Sequence, residues 1–368
     1  MAEMTKSEML KIVGDSISKL KNKEFNVFFF VIDTKGNPSG ALEYIYRTAL
    51  SLKNHGYNVA MLHQEKEFVG VSGWLGEEYN VLPHYNIEKQ NVEIGPSDFL
   101  FIPEIFANVM MQTKKLPCKR VMIVQNYDNI CEFMPPNCTP VTLGITDAIV
   151  TTNAQVNKLG EYFPDLRCHV VSPSINKMFR NNDAPRKLVV NILSKDQTYY
   201  TRIMKPFYWK NPLYRWVAFR DVRGLPQETF CEALRESAIS VWVDDDTKFG
   251  YNLLEALRCG NLVLAKTPTH PSDWMLDENG ELIKSVLWFD DIEDLPQILS
   301  SIVRSWTLDM IPEEIYKDQE TLSDKYTEEQ QDNEIMDVYV YKIFNKRLKD
   351  FEEVLVDVEN NKFKTKEE

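Results

Sequence analysis

The sequence predicts an α/β protein with two domains, each built on a doubly wound parallel sheet. Two observations lead to this fold class. The chain has 368 residues, 43% of them hydrophobic, which is too long for one ordinary core and sufficient for two. Short apolar runs also alternate with helical segments in two separate series, divided by a polar, cationic stretch at 176–187.

The first series begins with a strand at 26–32, which is apolar on both faces, as expected of a strand buried in a parallel sheet. A glycine-containing loop, a helix at 41–53 and a strand at 58–62 complete one βαβ step. Further strands are predicted at 99–103, 120–125, 148–152 and 169–175. We therefore predict an N-terminal helical extension (1–25) and an N-terminal domain (26–178).

The second series contains predicted strands at 188–194, 216–222, 239–244, 261–266 and 285–290. These strands define a C-terminal domain at 186–310. The remaining residues, 311–368, are charged and helix-forming, with apolar positions concentrated between Ile335 and Phe344. We expect this tail to form a helix that packs back toward the N-terminal domain.

Charge and cysteine usage exclude several classes of protein. The formal net charge of -13 disfavours nonspecific binding to nucleic acid or to anionic membrane. None of the six cysteines forms a CxxC pair, which is typical of buried thiols in a reducing compartment. No apolar run approaches the roughly 20 residues that span a bilayer, and no basic amphipathic helix is present. The sequence thus predicts a cytoplasmic protein without a metal site or transmembrane segment.

The sharpest local feature is the segment 244–266, which reads DDDTKFGYNLLEALRCGNLVLAK. A strand ends in acidic residues, Phe249 and Gly250 form a short turn, and a helix follows from about Tyr251 to Cys259. Helix N-termini attract phosphate, and a glycine there permits close approach of a ligand. Glu255, about one turn into the helix, is placed to accept hydrogen bonds from a ribose diol. The alternative is that Gly250 only makes a turn and Glu255 lies on a solvated helix face.

This segment resembles the signature of the large retaining GT-B glycosyltransferase family (glycosyl transferases group 1), which contains sucrose-phosphate and many lipopolysaccharide and capsule glycosyltransferases. The residues that match the signature are Phe249, Gly250, Leu253, Leu254, Glu255, Ala256, Cys259 and Gly260. The resemblance implies two Rossmann-like domains that face a central cleft and a role in polysaccharide biosynthesis. It also implies transfer from a nucleotide-diphosphate sugar to a glycan or lipid-linked acceptor, with retention of configuration and without metal or cofactor.

The resemblance also assigns residues. It places the donor on residues in both predicted domains: Gly40, Gly224, Phe249, Gly250, Tyr251, Asn252 and Glu255. Lys195 and Arg202 (or Lys205 in place of Arg202) match the cationic pair that neutralises the departing diphosphate. Thr247 occupies the position of the first signature glutamate, which contacts the donor sugar in the family, and Asp244, Asp245 and Asp246 lie nearby as substitutes.

Two other functions remain open. A dinucleotide oxidoreductase needs GxGxxG directly after a strand, and the loop after Ile32 reads DTKGNPSG, which lacks that spacing. The second alternative is a GT-B-like subunit that binds a partner or acceptor without transferring sugar. Thr247 favours it, as does Gln125, which stands where the family often has a histidine. A lipid-linked acceptor would also be compatible with a peripheral position at the inner membrane face.

Overall fold

The computed structural model describes residues 5–244 and 249–360. They divide into two compact units. The first unit contains the chain up to Thr151, residues 155–172, and the chain from Asp332 onward. The second unit contains residues 152–154 and 173–331, so that it begins earlier and ends later than the range predicted from the sequence.

A seven-stranded sheet forms the centre of the first unit. Its strands are β1 Asn26–Phe30, β2 Asn58–His63, β3 His84–Asn86, β4 Phe99–Pro103, β5 Lys119–Val124, β6 Asp147–Val150 and β7 Arg167–Val170. All neighbours pair in parallel, in the order β3-β2-β1-β4-β5-β6-β7. The chain adds β2 and β3 on one side of β1 and then β4 to β7 on its other side, which is the doubly wound arrangement predicted from the sequence.

Helices from both ends of the chain cover this sheet. They are α1 Lys6–Lys21, α2 Gly40–Asn54, α3 Ala107–Gln112, α4 Asp128–Phe133 and α5 Asn153–Tyr162, followed much later by α12 Asn345–Glu359; α11 Glu328–Ile335 begins in the second unit and ends in the first. A π-helical segment, Met336–Phe344, joins α11 to α12 without a break. Thr5 and Glu8 form a capping box that starts α1, and Lys21 pairs with Glu352 of α12 at 2.8 Å.

The two faces of the sheet in the first unit carry separate cores. On β1, Phe29 belongs to one core and Phe28 to the other, because successive side chains of a strand point to opposite faces. Phe29 stacks on Phe101 at 5.0 Å between ring centroids, and Tyr339 of the π-helical segment lies 4.8 Å from Phe101. The C-terminal helix therefore completes the core that the first strands begin.

A five-stranded parallel sheet forms the centre of the second unit. Its strands are β8 Lys187–Leu193, β9 Ala218–Asp221, β10 Ser237–Trp242, β11 Leu262–Lys266 and β12 Val286–Phe289, in the order β12-β11-β10-β8-β9. Its helices are α6 Thr198–Lys210, α7 Gln227–Glu236, α8 Tyr251–Arg258, α9 Leu295–Thr307 and α10 Glu314–Ser323. The carboxyl ends of β8, β10 and β11 meet at one edge, where Trp242 is in register with Leu193 and Ala265.

Two strand predictions differ from the structure. The strand predicted at 169–175 ends at Val170, and only the amide of Val171 continues the ladder, to the carbonyl of Val150 at 2.9 Å. Pro173 has no amide hydrogen, so it cannot extend that ladder. The short edge strand β3 is absent from the prediction, because three residues carry too little periodicity to indicate a strand.

At the amino end of β6, a buried carboxylate accepts hydrogen bonds from side chains of the two neighbouring strands. Asp147 is 3% exposed and accepts hydrogen bonds from Arg167 Nε at 2.9 Å, from His169 Nε2 at 3.2 Å and from Lys119 Nζ. Burial alone would raise the pKa of Asp147, but the hydrogen bonds from His169, Arg167 and Lys119 outweigh it and hold that pKa well below its usual range. The cluster ties together β5, β6 and β7.

Within the described ranges, no helix is both long enough and apolar enough to cross a membrane.

Candidate functional site

The carboxyl edge of the five-stranded sheet holds most of the residues that the sequence singled out. Asp244 follows β10 and is 8% exposed. Its carboxylate accepts a hydrogen bond from Ser194 Oγ at 3.0 Å and from the amide of Lys195 at 3.2 Å. Because β8 and β10 are adjacent, this carboxylate fixes the backbone where β8 ends, and so positions Lys195.

Helix α8 begins at the same edge. Its N-cap is Gly250, in the left-handed conformation (φ 79°, ψ 47°). Phe249 is 4% exposed, and its carbonyl accepts a hydrogen bond from Trp274 Nε1 at 2.6 Å. The amide groups of the first helical turn, beginning at Tyr251, have no acceptor within the helix and carry the positive end of its dipole. The start of α8 therefore has the geometry and polarity that suit an anion.

Replacing Gly250 by alanine is expected to disturb this start. A Cβ atom at Gly250 would lie 2.6 Å from Met275 Cε and 3.3 Å from an atom of the Trp274 ring. The left-handed backbone alone costs an alanine about 1–2 kcal/mol. We expect Gly250→Ala to lower the thermal stability of the chain and to displace the first turn of α8. Chemical denaturation would measure the loss of stability, and nucleotide affinity would measure the effect of the displaced turn.

Gly280 offers a matched control for this substitution. Its φ is 81°, and a Cβ atom there would meet nothing within 4 Å. Gly280→Ala should carry the backbone strain without the steric clash. Equal losses of nucleotide affinity in the two variants would contradict a specific role for the start of α8.

Glu255 lies in the middle of α8 and is 6% exposed. It is therefore not on a solvated helix face, which was one of the two interpretations of the sequence. Burial lowers the pKa of the neighbouring Arg258, and the carboxylate of Glu255 partly offsets that effect. Arg258 is itself 7% exposed and was not singled out by the sequence, because an arginine near a helix end is usually solvated.

The predicted cationic pair lies on the β8–α6 connection and the first turns of α6. Lys195 is exposed, and Arg202 is exposed with its guanidinium 5.3 Å from the centroid of the Tyr199 ring. Asp196 lies between them in sequence; its pKa is lowered by hydrogen bonds from Thr198 and, to a smaller extent, by Arg202. Gly224 is exposed in the turn after β9, at the same end of the sheet.

Thr247 lies outside the described residues, so its predicted role in contacting the donor sugar remains a prediction.

In the first unit, the loops that follow β1, β4 and β5 are connected to one another. Gly40 opens α2, and the carbonyl of the next residue, Ala41, accepts a hydrogen bond from Gln125 Nε2 at 2.9 Å. Glu104 follows β4 and is 3% exposed; its carboxylate accepts hydrogen bonds from the amide of Asn126 and from Asn129 Nδ2, both at 3.0 Å. Burial raises the pKa of Glu104 against these hydrogen bonds. No local pattern in the sequence marks Glu104 as buried, because its burial depends on the residues that follow β5.

Among residues 5–244 and 249–360, no group of three histidine, cysteine, aspartate or glutamate side chains is arranged to hold a metal ion.

The chain matches no protein-family model and no curated protein sequence. It does resemble solved structures. A structure of Anabaena HepE in complex with UDP has a TM-score of 0.57 at 10% identity, and the alignment covers 86% of this chain and 100% of HepE. The pneumococcal O-GlcNAc transferase GtfA, in complex with UDP and GlcNAc, has a TM-score of 0.58 at 7% identity, covering 91% of this chain and 99% of GtfA.

Sucrose-phosphate synthase from Thermosynechococcus elongatus is also similar, with a TM-score of 0.53 at 10% identity and coverage of 90% of this chain and 99% of the synthase. Identities this low show the fold alone. The chain has the GT-B fold, with two parallel sheets flanked by helices, and the predicted fold class is confirmed.

Proposed function

We propose that this chain is a glycosyltransferase that moves a sugar from a nucleoside-diphosphate donor to a hydroxyl of a glycan or lipid-linked acceptor. The observation that carries the proposal is the buried carboxylate of Glu255 one turn beyond the glycine-capped start of α8. This pairing offers a hydrogen-bond acceptor for a ribose diol beside a set of amides for a diphosphate. HepE and GtfA, which share the fold, have structures with UDP, so UDP is the first nucleotide to test.

Each predicted residue has a defined task in this proposal. Glu255 accepts hydrogen bonds from the ribose, and the amides of Tyr251 and Asn252 bind the diphosphate. Lys195 and Arg202 offset the negative charge that develops on the departing diphosphate, which is the electrostatic part of transfer catalysis. The same cations would make a metal ion unnecessary. In this proposal Gly40 contacts the donor phosphates and Gly224 contacts the base.

Transfer proceeds with retention of anomeric configuration in the proposed mechanism. The leaving phosphate assists deprotonation of the acceptor hydroxyl, and Thr247, or one of Asp244, Asp245 and Asp246 in its place, contacts the donor sugar. The domain at 186–310 binds the nucleotide sugar, and the domain at 26–178 binds the acceptor. The proposed setting is the cytoplasm, with a peripheral position at the inner membrane face where the acceptor is lipid-linked.

Thermal shift with UDP, GDP, ADP, CMP and dTDP tests the donor site. At about 100 times its dissociation constant, a ligand adds about 2.7 kcal/mol of stability, which corresponds to a shift of roughly 3–4 °C for a chain of this size. We expect one nucleotide to stabilise the protein and Glu255→Ala to abolish that shift. Glu232→Ala removes an exposed glutamate of α7 and serves as the matched control.

Two results would contradict the proposal. If no nucleotide raised the melting temperature, the chain would have no donor site. A shift without any donor turnover, measured as release of nucleoside diphosphate from the corresponding nucleotide sugar, would instead support the non-catalytic subunit.

A further inference from the structure

One short segment of the second unit exposes several large apolar side chains. Trp209, at the end of α6, is 74% exposed; Leu213 is 87% exposed and Trp216 is 58% exposed. Single exposed apolar residues are common on proteins, but three large ones within eight consecutive residues indicate an interaction surface. We refer to Trp209, Lys210, Leu213, Arg215 and Trp216 as the aromatic-basic surface.

The backbone beneath this surface is held in place by its neighbours. The amide of Val217 donates to the carbonyl of Tyr214 at 3.0 Å, and Asn211 Nδ2 donates to the carbonyl of Pro296 at 3.2 Å. Phe207 and Val217, which flank the surface in sequence, are 0% and 1% exposed in the core. The exposed side chains thus project from an anchored turn, and their exposure is a property of the fold.

The charge of this segment is opposite to that of the whole chain. Residues 197–220 contain no aspartate or glutamate, whereas the protein as a whole has a formal net charge of -13. The cations of the segment are Arg202, Lys205, Lys210, Arg215 and Arg220. Arg220 is paired with Glu236 at 3.4 Å, while the side chains of Lys210 and Arg215 are exposed.

Acidic residues mark one edge of the surface. Lys210 Nζ donates to the backbone carbonyl of Glu293 at 3.3 Å, which brings the acidic residues 290–294 before α9 close to that lysine. Those carboxylates reduce the attraction of the surface for anions. Removing one of them should therefore strengthen binding of an anionic partner, whereas removing a lysine or arginine should weaken it.

This combination of residues matches the chemistry of a membrane interface. Tryptophan side chains concentrate at the level of the lipid headgroups, where the indole is half in contact with the acyl chains and half with water. Lysine and arginine place their charges among anionic headgroups while their stems cover apolar surface. An exposed leucine beside two tryptophans adds apolar area for shallow insertion.

We infer that the aromatic-basic surface docks the protein on an anionic lipid bilayer. The inference deepens the proposed function, because this contact would bring a transferase to a lipid-linked acceptor. Only that link to the acceptor rests on the proposed function. The docking itself requires neither nucleotide nor acceptor.

Vesicle co-sedimentation of the full chain tests the inference. The probes are vesicles of phosphatidylcholine alone and of an equal mixture of phosphatidylcholine and phosphatidylglycerol, at low and high salt. We expect binding to the mixed vesicles at low salt, weaker binding at high salt, and little binding to phosphatidylcholine alone. Tryptophan emission should shift to the blue on binding.

Variants of the surface test its residues. We expect the triple variant Trp209→Ser, Leu213→Ser, Trp216→Ser to reduce the partition coefficient at least tenfold, and Lys210→Ala and Arg215→Ala to reduce it about fivefold each. Glu293→Gln should raise it. Val69→Ser and Tyr341→Ser are matched controls, because these residues are 63% and 64% exposed on the first unit and should not change binding.

Three outcomes would overturn the inference. The first is absence of binding to the mixed vesicles at low salt. The second is a loss of vesicle binding in Val69→Ser and Tyr341→Ser that equals the loss in the triple variant. The third is a concentration-dependent dimer, seen by sedimentation velocity, that the triple variant abolishes while the wild type does not bind vesicles. The last outcome would assign the surface to a second copy of the chain. Failure of nucleotides to stabilise the protein would overturn the proposed function and leave the vesicle result unaffected.

Discussion

Replacing Asp147 by asparagine is expected to cost the first unit about 1.5–3 kcal/mol of unfolding free energy, because it weakens the hydrogen bonds that a buried carboxylate accepts from charged donors. Lys119 and Arg167 both pair with this 3% exposed carboxylate. An asparagine would offer one neutral oxygen and turn an amide donor toward other donors. Hydrogen exchange in β5 and β6 should accelerate by about 10–100-fold, since each 1.4 kcal/mol is a factor of ten.

The pH dependence and a control make this expectation specific. A carboxyl whose pKa is lowered in the folded state contributes stability above its unfolded pKa of about 3.9, and loses it as the pH falls below that value. The difference between the wild type and Asp147→Asn should thus be complete at neutral pH and shrink below about pH 4. Asp165→Asn, at an exposed position, should leave exchange unchanged. Unchanged exchange in Asp147→Asn would mean that the cluster does not stabilise the sheet.

The second large effect is expected at the proposed cationic pair. Loss of one group that stabilises developing charge typically lowers kcat by about 10²–10³-fold. The substrate is the sugar derivative of whichever nucleotide stabilises the protein in the thermal-shift experiment. We expect Lys195→Ala and Arg202→Ala each to lower kcat for hydrolysis of that nucleotide sugar by roughly this factor. The dissociation constant for the free nucleotide should change much less, because the pair acts on charge that develops during departure of the diphosphate.

Lys187→Ala is the matched control for these variants. Lys187 is an exposed lysine at the amino end of β8, whereas Lys195 follows the carboxyl end of the same strand. It should retain full activity. If Lys195→Ala weakened nucleotide binding and lowered kcat by the same factor, the lysine would act in binding rather than on the departing group.

The parts of the fold that follow from local pattern were predictable. The strand at Asn26–Phe30 is apolar on both faces, which indicates a buried parallel strand before any neighbour is known. The start of α8 was also predictable, because Gly250 directly before an amphipathic helix is a local signal. The burial of Glu255 was not, since its helix face is decided by what packs against it.

Contacts between distant strands carry no such local signal. The hydrogen bonds from Ser194 and Lys195 to Asp244 depend on β8 and β10 being adjacent, although about 50 residues separate them in the chain. The cluster around Asp147 on β6 likewise draws its hydrogen-bond donors from two other strands, β5 and β7. Strand order decides both sites, and periodicity along one strand does not encode it.

The last segment of the first unit has a consequence for the order of folding. One face of its sheet, including Phe29 and Phe101, is covered by Tyr339, and about 160 residues of chain separate Ser172 from the returning segment that begins at Asp332. At 5–20 residues per second, a ribosome needs roughly 10–30 s to synthesise that interval. During this time the aromatic face lacks its cover, while all of the second unit has been made. The unit that starts first is thus completed last, and a chain truncated before Tyr339 should aggregate through its first unit rather than its second.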